Sequence, residues 1–317
     1  MNGQLNGICF ANSGLLNNSN TMYRLLKFSS IIIPRLPGWS IRVLAGIAGL
    51  VAFLIATRAR KQATSNMIHV LGKDVVRSNA GRRRLRRSVI HMFQNNTRNY
   101  LDLFTLPYLA PKKILNMIDV TGIEHLEQAL ALGKGVILFS AHLGPFNYLA
   151  QWISIKGYQL VIPVEQLKDK RTLDLTLKLR NSQGVQFLPL GGSAPMRTMI
   201  KALRNNQIVL ITADRAVEGE SREKLFFGEP ARLPIGPVAL SQRTGAALVG
   251  ACGWYTSRKR IEGKFVPLTL ELTEDERNNT DTVMLTLINK LEKYIKPYPE
   301  QWVVFSPVWI SDFAKTS

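Results

Sequence analysis

The sequence is poor in cysteine, and several common catalytic motifs are missing from it. Its 317 residues include two cysteines, Cys9 and Cys252, which lie far apart and lack metal-ligand spacing. This scarcity argues against a disulfide framework or a zinc site and favours a reducing compartment. A Walker phosphate-binding loop, a GxGxxG after a strand, a GxSxG elbow and an HExxH motif are also absent. We therefore expect neither a metal nor a bound cofactor.

Acidic residues are also scarce. The chain has 41 Lys and Arg against 22 Asp and Glu, a formal net charge of +19. Between Arg58 and Tyr100, Asp74 is opposed by eleven basic residues: Arg58, Arg60, Lys61, Lys73, Arg77, Arg82, Arg83, Arg84, Arg86, Arg87 and Arg98. Such a block suits nucleic acid or anionic lipid. No base-stacking aromatics are interleaved with the arginines, so we expect an anionic membrane surface and no nucleic acid.

No apolar run reaches the roughly 20 residues that span a bilayer. The longest, Val43–Thr57, is preceded by Pro34, Pro37 and Gly38, which break a helix, and followed by basic residues. We predict a membrane anchor region at residues 21–61, monotopic or marginally spanning, with its basic flank on the cytoplasmic side. A buried core helix is the alternative interpretation. Residues 1–20, rich in Asn, Ser and Gly, are predicted to be disordered.

From Ile118 onwards, short apolar runs alternate with amphipathic segments, a pattern typical of βα units. We predict an α/β domain at residues 62–317, with a mostly parallel central sheet, helices on both faces and an N-terminal helical membrane-docking region before it. The predicted strands are Ile118–Thr121, Val136–Ser140, Leu160–Pro163, Val185–Leu188, Ile208–Thr212, Ala247–Cys252 and Lys264–Leu270. The predicted helices are Ile123–Leu132, Phe146–Lys156, Arg171–Asn181, Pro195–Arg204, Pro237–Thr244 and Thr280–Ile295.

His142 directly follows the most apolar of these strands, before a Gly-Pro turn. An imidazole at the carboxyl edge of a parallel sheet suits a general base, although a structural histidine at a strand end is the alternative. Asn147 lies about one helical turn on and is predicted to orient the ring. Because an amide cannot stabilise an imidazolium, Glu165, after the next strand, is the nearest candidate carboxylate. Asp214 and Arg215 are expected at the same edge as a substrate-binding pair. A helix cap or a surface ion pair is the alternative.

The segment Phe226–Pro237 is rich in Gly and Pro and is predicted to be a shaped loop rather than a strand. Pro237 suits the first turn of the helix that follows. The amide of Gly236 at that helix start is therefore a candidate for binding a phosphate or an oxyanion.

Several blocks together resemble the lysophospholipid-acyltransferase superfamily, in its branch of lipid A late acyltransferases and phosphatidylinositol mannoside acyltransferases. The resemblance covers about Ile41 to Ile310. It rests on His142-Leu-Gly-Pro-Phe-Asn147, Ala213-Asp214-Arg215, Phe226–Pro237, Arg243-Thr-Gly-Ala246 and Pro299-Glu-Gln-Trp302. Pro163-Val-Glu165 and Asp214-Arg215 are closer to the mannoside enzymes.

The resemblance implies transfer of a fatty acyl chain from acyl-CoA or acyl carrier protein to a hydroxyl of a membrane glycolipid. It places the enzyme at the cytoplasmic face of the inner membrane. His142 would be the general base, and amides at Gly144 or Gly236 would stabilise the oxyanion. Arg215 and Arg232 would bind phosphates of the donor or the headgroup.

Two positions depart from the family pattern. Asn147 stands where the His motif has an acid, and Ala216 stands where an acid often follows Asp-Arg. A second hypothesis is therefore a catalytically impaired homologue that binds a lipid or an acyl donor. The two hypotheses differ in whether Glu165 or Asp214 approaches a ring nitrogen of His142 within about 3.2 Å.

Overall fold

The computed structural model describes residues 19–167, 169–216, 219–256 and 260–313. Of the segment predicted to be disordered, residues 1–18 lie outside the described residues, and a helix begins at Ser19. The α-helices are α1 (Ser19–Ile32), α2 (Gly38–Ile55), α3 (Thr57–Leu71), α4 (Asn79–Thr105), α5 (Pro111–Met117), α6 (Ile123–Ala131), α7 (Phe146–Ile155), α8 (Lys170–Arg180), α9 (Ala194–Arg204), α10 (Gly236–Thr244), α11 (Glu274–Asn278), α12 (Thr280–Ile295) and α13 (Ile310–Phe313).

The strands form one large sheet and one hairpin. They are β1 (Ile118–Thr121), β2 (Val136–Ser140), β3 (Leu160–Val164), β4 (Gln186–Pro189), β5 (Ile208–Thr212), β6 (Ser221–Phe226), β7 (Glu229–Pro234), β8 (Ala247–Tyr255) and β9 (Ile261–Pro267). The seven-stranded sheet has the order β1-β9-β8-β2-β5-β3-β4, and its neighbours are parallel except β8 and β9. The prediction of a mostly parallel sheet is confirmed.

The central strand β2 is buried on both faces, which explains its unbroken apolar sequence. Its residues alternate between two cores. Ile137 and Phe139 pack in the core that includes α10 and α12, while Val136 and Leu138 pack in the core that includes α6 and α7. Helices therefore cover both faces of the sheet, as the sequence predicted.

The loop predicted over Phe226–Pro237 is wrong, because most of this segment belongs to the β6–β7 hairpin and to the start of α10. Phe227 and Gly228 form its turn with positive φ angles of 50° and 77°. The side chains of Phe226 and Leu233 are fully buried. On its other side, β7 meets the C-terminal segment, where the amide of Arg232 donates to the carbonyl of Val308 at 2.9 Å.

The N-terminal helices pack against one another through α4. The chain turns between α1 and α2 at Pro34 and Pro37, as expected. One stripe of α2, including Ala45, Gly49 and Ala52, packs on α4. Of the helices that the structure describes, α2 alone is long and apolar enough to cross a membrane by length and composition. The domain boundary proposed at residue 61 falls inside α3 and remains a prediction.

The contact between α2 and α4 depends on a glycine, Gly49, which has no side chain to separate the two helices. A Cβ at Gly49 would lie 2.5 Å from the Cα of Gln94, whereas a Cβ at Gly46 would meet only the end of that side chain, at 3.9 Å. We expect Gly49→Ala to lower the free energy of unfolding by about 1–3 kcal/mol, because backbone must move to accept it. Gly46→Ala should be neutral or stabilising by up to about 1 kcal/mol, through helix propensity. Urea unfolding of the two variants in detergent measures the difference, and equal stabilities would contradict this packing.

Candidate active site

The sheet brings two polar groups together at the carboxyl end of its central strands. Ser140 ends β2 opposite Thr212, which ends the adjacent strand β5. The amide of Ala213 then donates to the carbonyl of Ser140 at 2.8 Å, which continues the pairing by one residue. His142 and Asp214, two residues beyond the two strand ends, are therefore placed side by side.

Asp214 binds His142 at two points. Its Oδ1 lies 2.8 Å from the ring Nδ1, and its Oδ2 accepts a hydrogen bond of 2.8 Å from the backbone N–H of His142. The indole Nε1–H of Trp302 donates to the same Oδ2 at 2.7 Å. The carboxylate has no exposed surface, and 23% of the imidazole is exposed. The ring is thus held firmly on one side and accessible on the other.

Burial by itself disfavours the ionised form of Asp214 and raises its pKa. The charge of a protonated His142, together with the hydrogen bonds from His142 and Trp302, outweighs burial and holds the pKa below the usual 3.8. Asp214 is therefore an anion near pH 7. As an anion it can only accept hydrogen bonds, so Nδ1 of His142 is the donor in the bond between the two side chains. The other ring nitrogen, Nε2, makes no hydrogen bond with the described residues and is free to take a proton.

The carboxylate expected beside His142 was the wrong one. Glu165 forms an ion pair with Arg215 at 3.4 Å instead. The reason is the strand order: β5 lies next to β2, and β3, after which Glu165 comes, lies one strand further away. Asn147 is buried in the first turn of α7 and makes no hydrogen bond with His142, so its expected orienting contact is also wrong.

Gly144 serves backbone packing rather than an oxyanion site. Its amide donates to the carbonyl of Gln301 at 2.9 Å, so that N–H is already engaged. With φ at +58°, a Cβ on this residue would lie 2.3 Å from the carbonyl oxygen of Gly253. Gly236, by contrast, begins α10, lines the cavity beside His142 and has open space around its Cα.

The two predicted phosphate-binding arginines are separated. Arg215 lines the same cavity as His142, together with its partner Glu165. Arg232 is exposed on β7, outside the cavity lining, and its guanidinium lies 5.4 Å from the ring of Phe313. Side chains alternate along β7, so the burial of Ala231 and Leu233 turns Arg232 outwards.

Trp302 was part of the family resemblance but received no role from the sequence. It is fully buried, and the next residue, Val303, donates its amide to the carbonyl of His142 at 2.9 Å. A tryptophan in a segment without periodicity gives no local signal of a contact with a carboxylate elsewhere in the chain. Only the fold reveals it.

The exposed side of His142 opens onto a cavity of about 720 Å³. Its walls are largely apolar, with side chains from α4, α7 and α8 such as Leu103, Leu149 and Leu175. An apolar cavity next to a proton acceptor can hold a hydrocarbon chain while a polar group at one end reacts.

The chain was compared with known proteins. The profile of the family described as bacterial lipid A biosynthesis acyltransferase matches residues 21–311. The chain is also similar to phosphatidylinositol mannoside acyltransferases. It is 29% identical to that of Mycobacterium tuberculosis (strain H37Rv) over 223 residues, which cover 69% of each chain. It is 27% identical to that of Mycolicibacterium smegmatis over 219 residues, which cover 68% of this chain and 70% of the relative.

The profile match covers nearly all of the described chain and includes β2, β5 and Trp302. The likeness that the sequence motifs carried is thus confirmed over both the N-terminal helices and the sheet. The chain belongs to the bacterial lipid A biosynthesis acyltransferase family.

Proposed function

We propose that this protein transfers a fatty acyl chain from a thioester to a hydroxyl group of a membrane glycolipid. The observation that carries the proposal is the pairing of His142 with the buried carboxylate of Asp214 at the edge of an apolar cavity. A base oriented by an anion, next to a space for a hydrocarbon chain, is what this reaction requires.

His142 acts as the general base. Its Nε2 removes the proton from the acceptor hydroxyl as the hydroxyl oxygen attacks the thioester carbonyl carbon. The tetrahedral intermediate then expels the thiolate, which takes the proton back from the imidazolium. Asp214 stabilises the imidazolium between these steps and keeps the proton on Nδ1. No acyl-enzyme intermediate is needed.

The developing oxyanion requires hydrogen-bond donors that the protein has not already used. The amide of Gly236, at the N-terminus of α10, meets this condition better than the engaged amide of Gly144. Arg215, in the same cavity, is placed to bind a phosphate of the donor or of the acceptor headgroup.

The alternative of a catalytically impaired homologue rested on Asn147. Since Asp214, and not residue 147, supplies the carboxylate to His142, an amide at position 147 removes nothing from the base. The geometry therefore favours an active enzyme. The names of the mycobacterial relatives support an acceptor of the phosphatidylinositol mannoside type. The donor that we propose, acyl-CoA or acyl carrier protein, follows from the family resemblance of the sequence motifs.

We also propose that the protein docks on the cytoplasmic face of the inner membrane through α1 and α2. Both helices expose large apolar side chains, including Phe28, Trp39, Ile47 and Leu54. The helix α4 packs along α2 and carries charged residues such as Arg87 and Arg98, which a bilayer core would not accept. We infer that α2 lies in the plane of the membrane surface rather than across it.

His142→Ala should abolish acyl transfer and leave the fold intact, because the ring is a proton acceptor on the cavity side. The assay uses radiolabelled palmitoyl-CoA with a total polar-lipid extract, and separates the lipid products. His125→Ala, a partly exposed histidine on α6, is the matched control and should retain activity. A labelled glycolipid formed by the His142→Ala variant would contradict the mechanism.

Asp214→Asn should lower kcat by about 10³- to 10⁴-fold, because an amide keeps the shape but loses the charge that stabilises the imidazolium. Glu165→Gln should cost less than about tenfold, since Glu165 contacts Arg215 and not the ring. Steady-state kinetics of both variants compare the two carboxylates directly. Equal losses, or a larger loss for Glu165→Gln, would show that the base has another partner.

The pair Ile47→Asp and Leu54→Asp should move most of the protein from the membrane fraction to the soluble fraction, because both side chains are exposed on α2. Leu285→Asp changes a similarly exposed leucine on α12 and should leave the protein on the membrane. Ultracentrifugation of cell extracts measures the distribution. Equal retention of all variants would exclude α2 as the docking surface.

A further inference from the structure

The guanidinium of Arg180 lies in the wall of the cavity without an anionic partner. It packs on the ring of Phe187 at 5.4 Å, and its Nε is buried without a hydrogen-bond partner. Burial lowers the pKa of this arginine, and the nearby Tyr100 opposes that effect. No ion pair joins it to any described residue. Arg180 is half-buried, with its Nε shielded and the rest of its guanidinium next to the cavity. An unpaired cation with a shielded, unsatisfied donor costs stability, so a protein keeps one where a ligand supplies the opposite charge.

A second unsatisfied donor lines the same cavity. The side-chain Nδ2 of Asn99 on α4 is buried and makes no hydrogen bond with the described residues. Asn99 precedes Tyr100 on α4, a helix that contacts α8. Tyr100 is near enough to Arg180 to act on the pKa of the arginine. Both groups can only donate hydrogen bonds at these atoms. Their natural complement is a group that only accepts them, such as a phosphate.

The acidic side chains near this part of the cavity are engaged elsewhere. Glu165 pairs with Arg215, and Asp169 caps the start of α8 through the amide of Thr172. The end of α8 therefore lacks a carboxylate of its own among the described residues. An internal salt bridge among the described residues therefore does not explain the position of Arg180 in the cavity wall.

The location suits a group remote from the reacting atoms. Phe187 belongs to β4, three strands from β2 in the sheet order, a lateral distance of about 14 Å from the strand that positions His142. Leu26 of α1 lines the same cavity, so this part of it adjoins the helices that we place on the membrane.

We propose that Arg180 and Asn99 bind a phosphate group of a substrate whose reactive part reaches His142. A planar guanidinium gives two parallel hydrogen bonds to phosphate oxygens, and the amide of Asn99 adds a third. This proposal rests on the proposed function, in which both substrates can carry phosphate. The source is the diphosphate of a coenzyme A donor or the phosphodiester of an acceptor lipid headgroup.

The proposal has a consequence for stability that a structural arginine would not share. Without ligand, the folded protein carries the cost of the unpaired charge. We expect Arg180→Met to raise the melting temperature of the unliganded protein, because a similar volume is kept and the charge is removed. An arginine retained for packing or hydrogen bonding would instead lower the melting temperature when replaced.

The binding test uses two pairs of probes that differ by phosphate, measured by calorimetry on the full chain in detergent. Palmitoyl-CoA is compared with S-palmitoyl-pantetheine, and dihexanoyl phosphatidylinositol with dihexanoylglycerol. Arg180→Met should weaken one of the two phosphate-bearing probes at least about tenfold and leave the phosphate-free probe of that pair unchanged. The affected pair identifies the source of the phosphate. Arg180→Lys keeps the charge and should recover part of the affinity.

Arg204→Met, an exposed arginine in the last turn of α9, is the control for a general loss of positive charge and should change neither measurement. A lowered melting temperature with unchanged affinity for both phosphate probes would overturn the proposal. Equal weakening of both members of a pair would overturn it too, because it would indicate a change in cavity shape. These readouts do not require turnover, so an enzyme that failed to transfer acyl groups would refute the proposed function and leave this test valid.

Discussion

The candidate active site depends on one buried carboxylate that accepts three hydrogen bonds. Asp214 binds the backbone and the ring of His142 and the indole of Trp302, and it is wholly shielded from solvent. A buried anion of this kind is tolerated only where donors satisfy its oxygens. The donors come from two separate parts of the chain, and Asp214 belongs to a third, so the carboxylate also fixes how those three parts meet.

The segment that contains Trp302 joins the active site to the N-terminal helices. On one side, Val303 and Gln301 bond to the backbone of His142 and Gly144. On the other side, the fully buried amide of Asn66 on α3 donates to the carbonyls of Val304 and Ser306, and Asn95 on α4 donates to Glu300. The helices proposed to meet the membrane are therefore built into the same structure that holds the base.

Much of the sheet could be predicted from the sequence, because its strands are short apolar runs separated by amphipathic helices. The bounds of β2 and β5, and the position of His142 at the carboxyl edge, follow from that local pattern. The order of strands across the sheet has no local signal, and this order decides that Asp214 rather than Glu165 reaches the imidazole. The β6–β7 hairpin was missed because Gly and Pro dominate its composition, whereas the burial of Phe226 and Leu233 against distant residues determines its structure.

The order of His142, Asp214 and Trp302 in the sequence also determines when their hydrogen bonds can form during translation. His142 and Asp214 are 72 residues apart in sequence, and Trp302 comes 88 residues after Asp214. At about 5–20 residues per second, the ribosome needs on the order of ten seconds to travel from the second group to the third. The apolar helices α1 and α2 leave the ribosome well before that. With the proposed docking through these helices, the nascent chain meets a lipid surface while the carboxylate of Asp214 still lacks the hydrogen bond from Trp302. The proposed activity would then begin only after translation has passed Trp302.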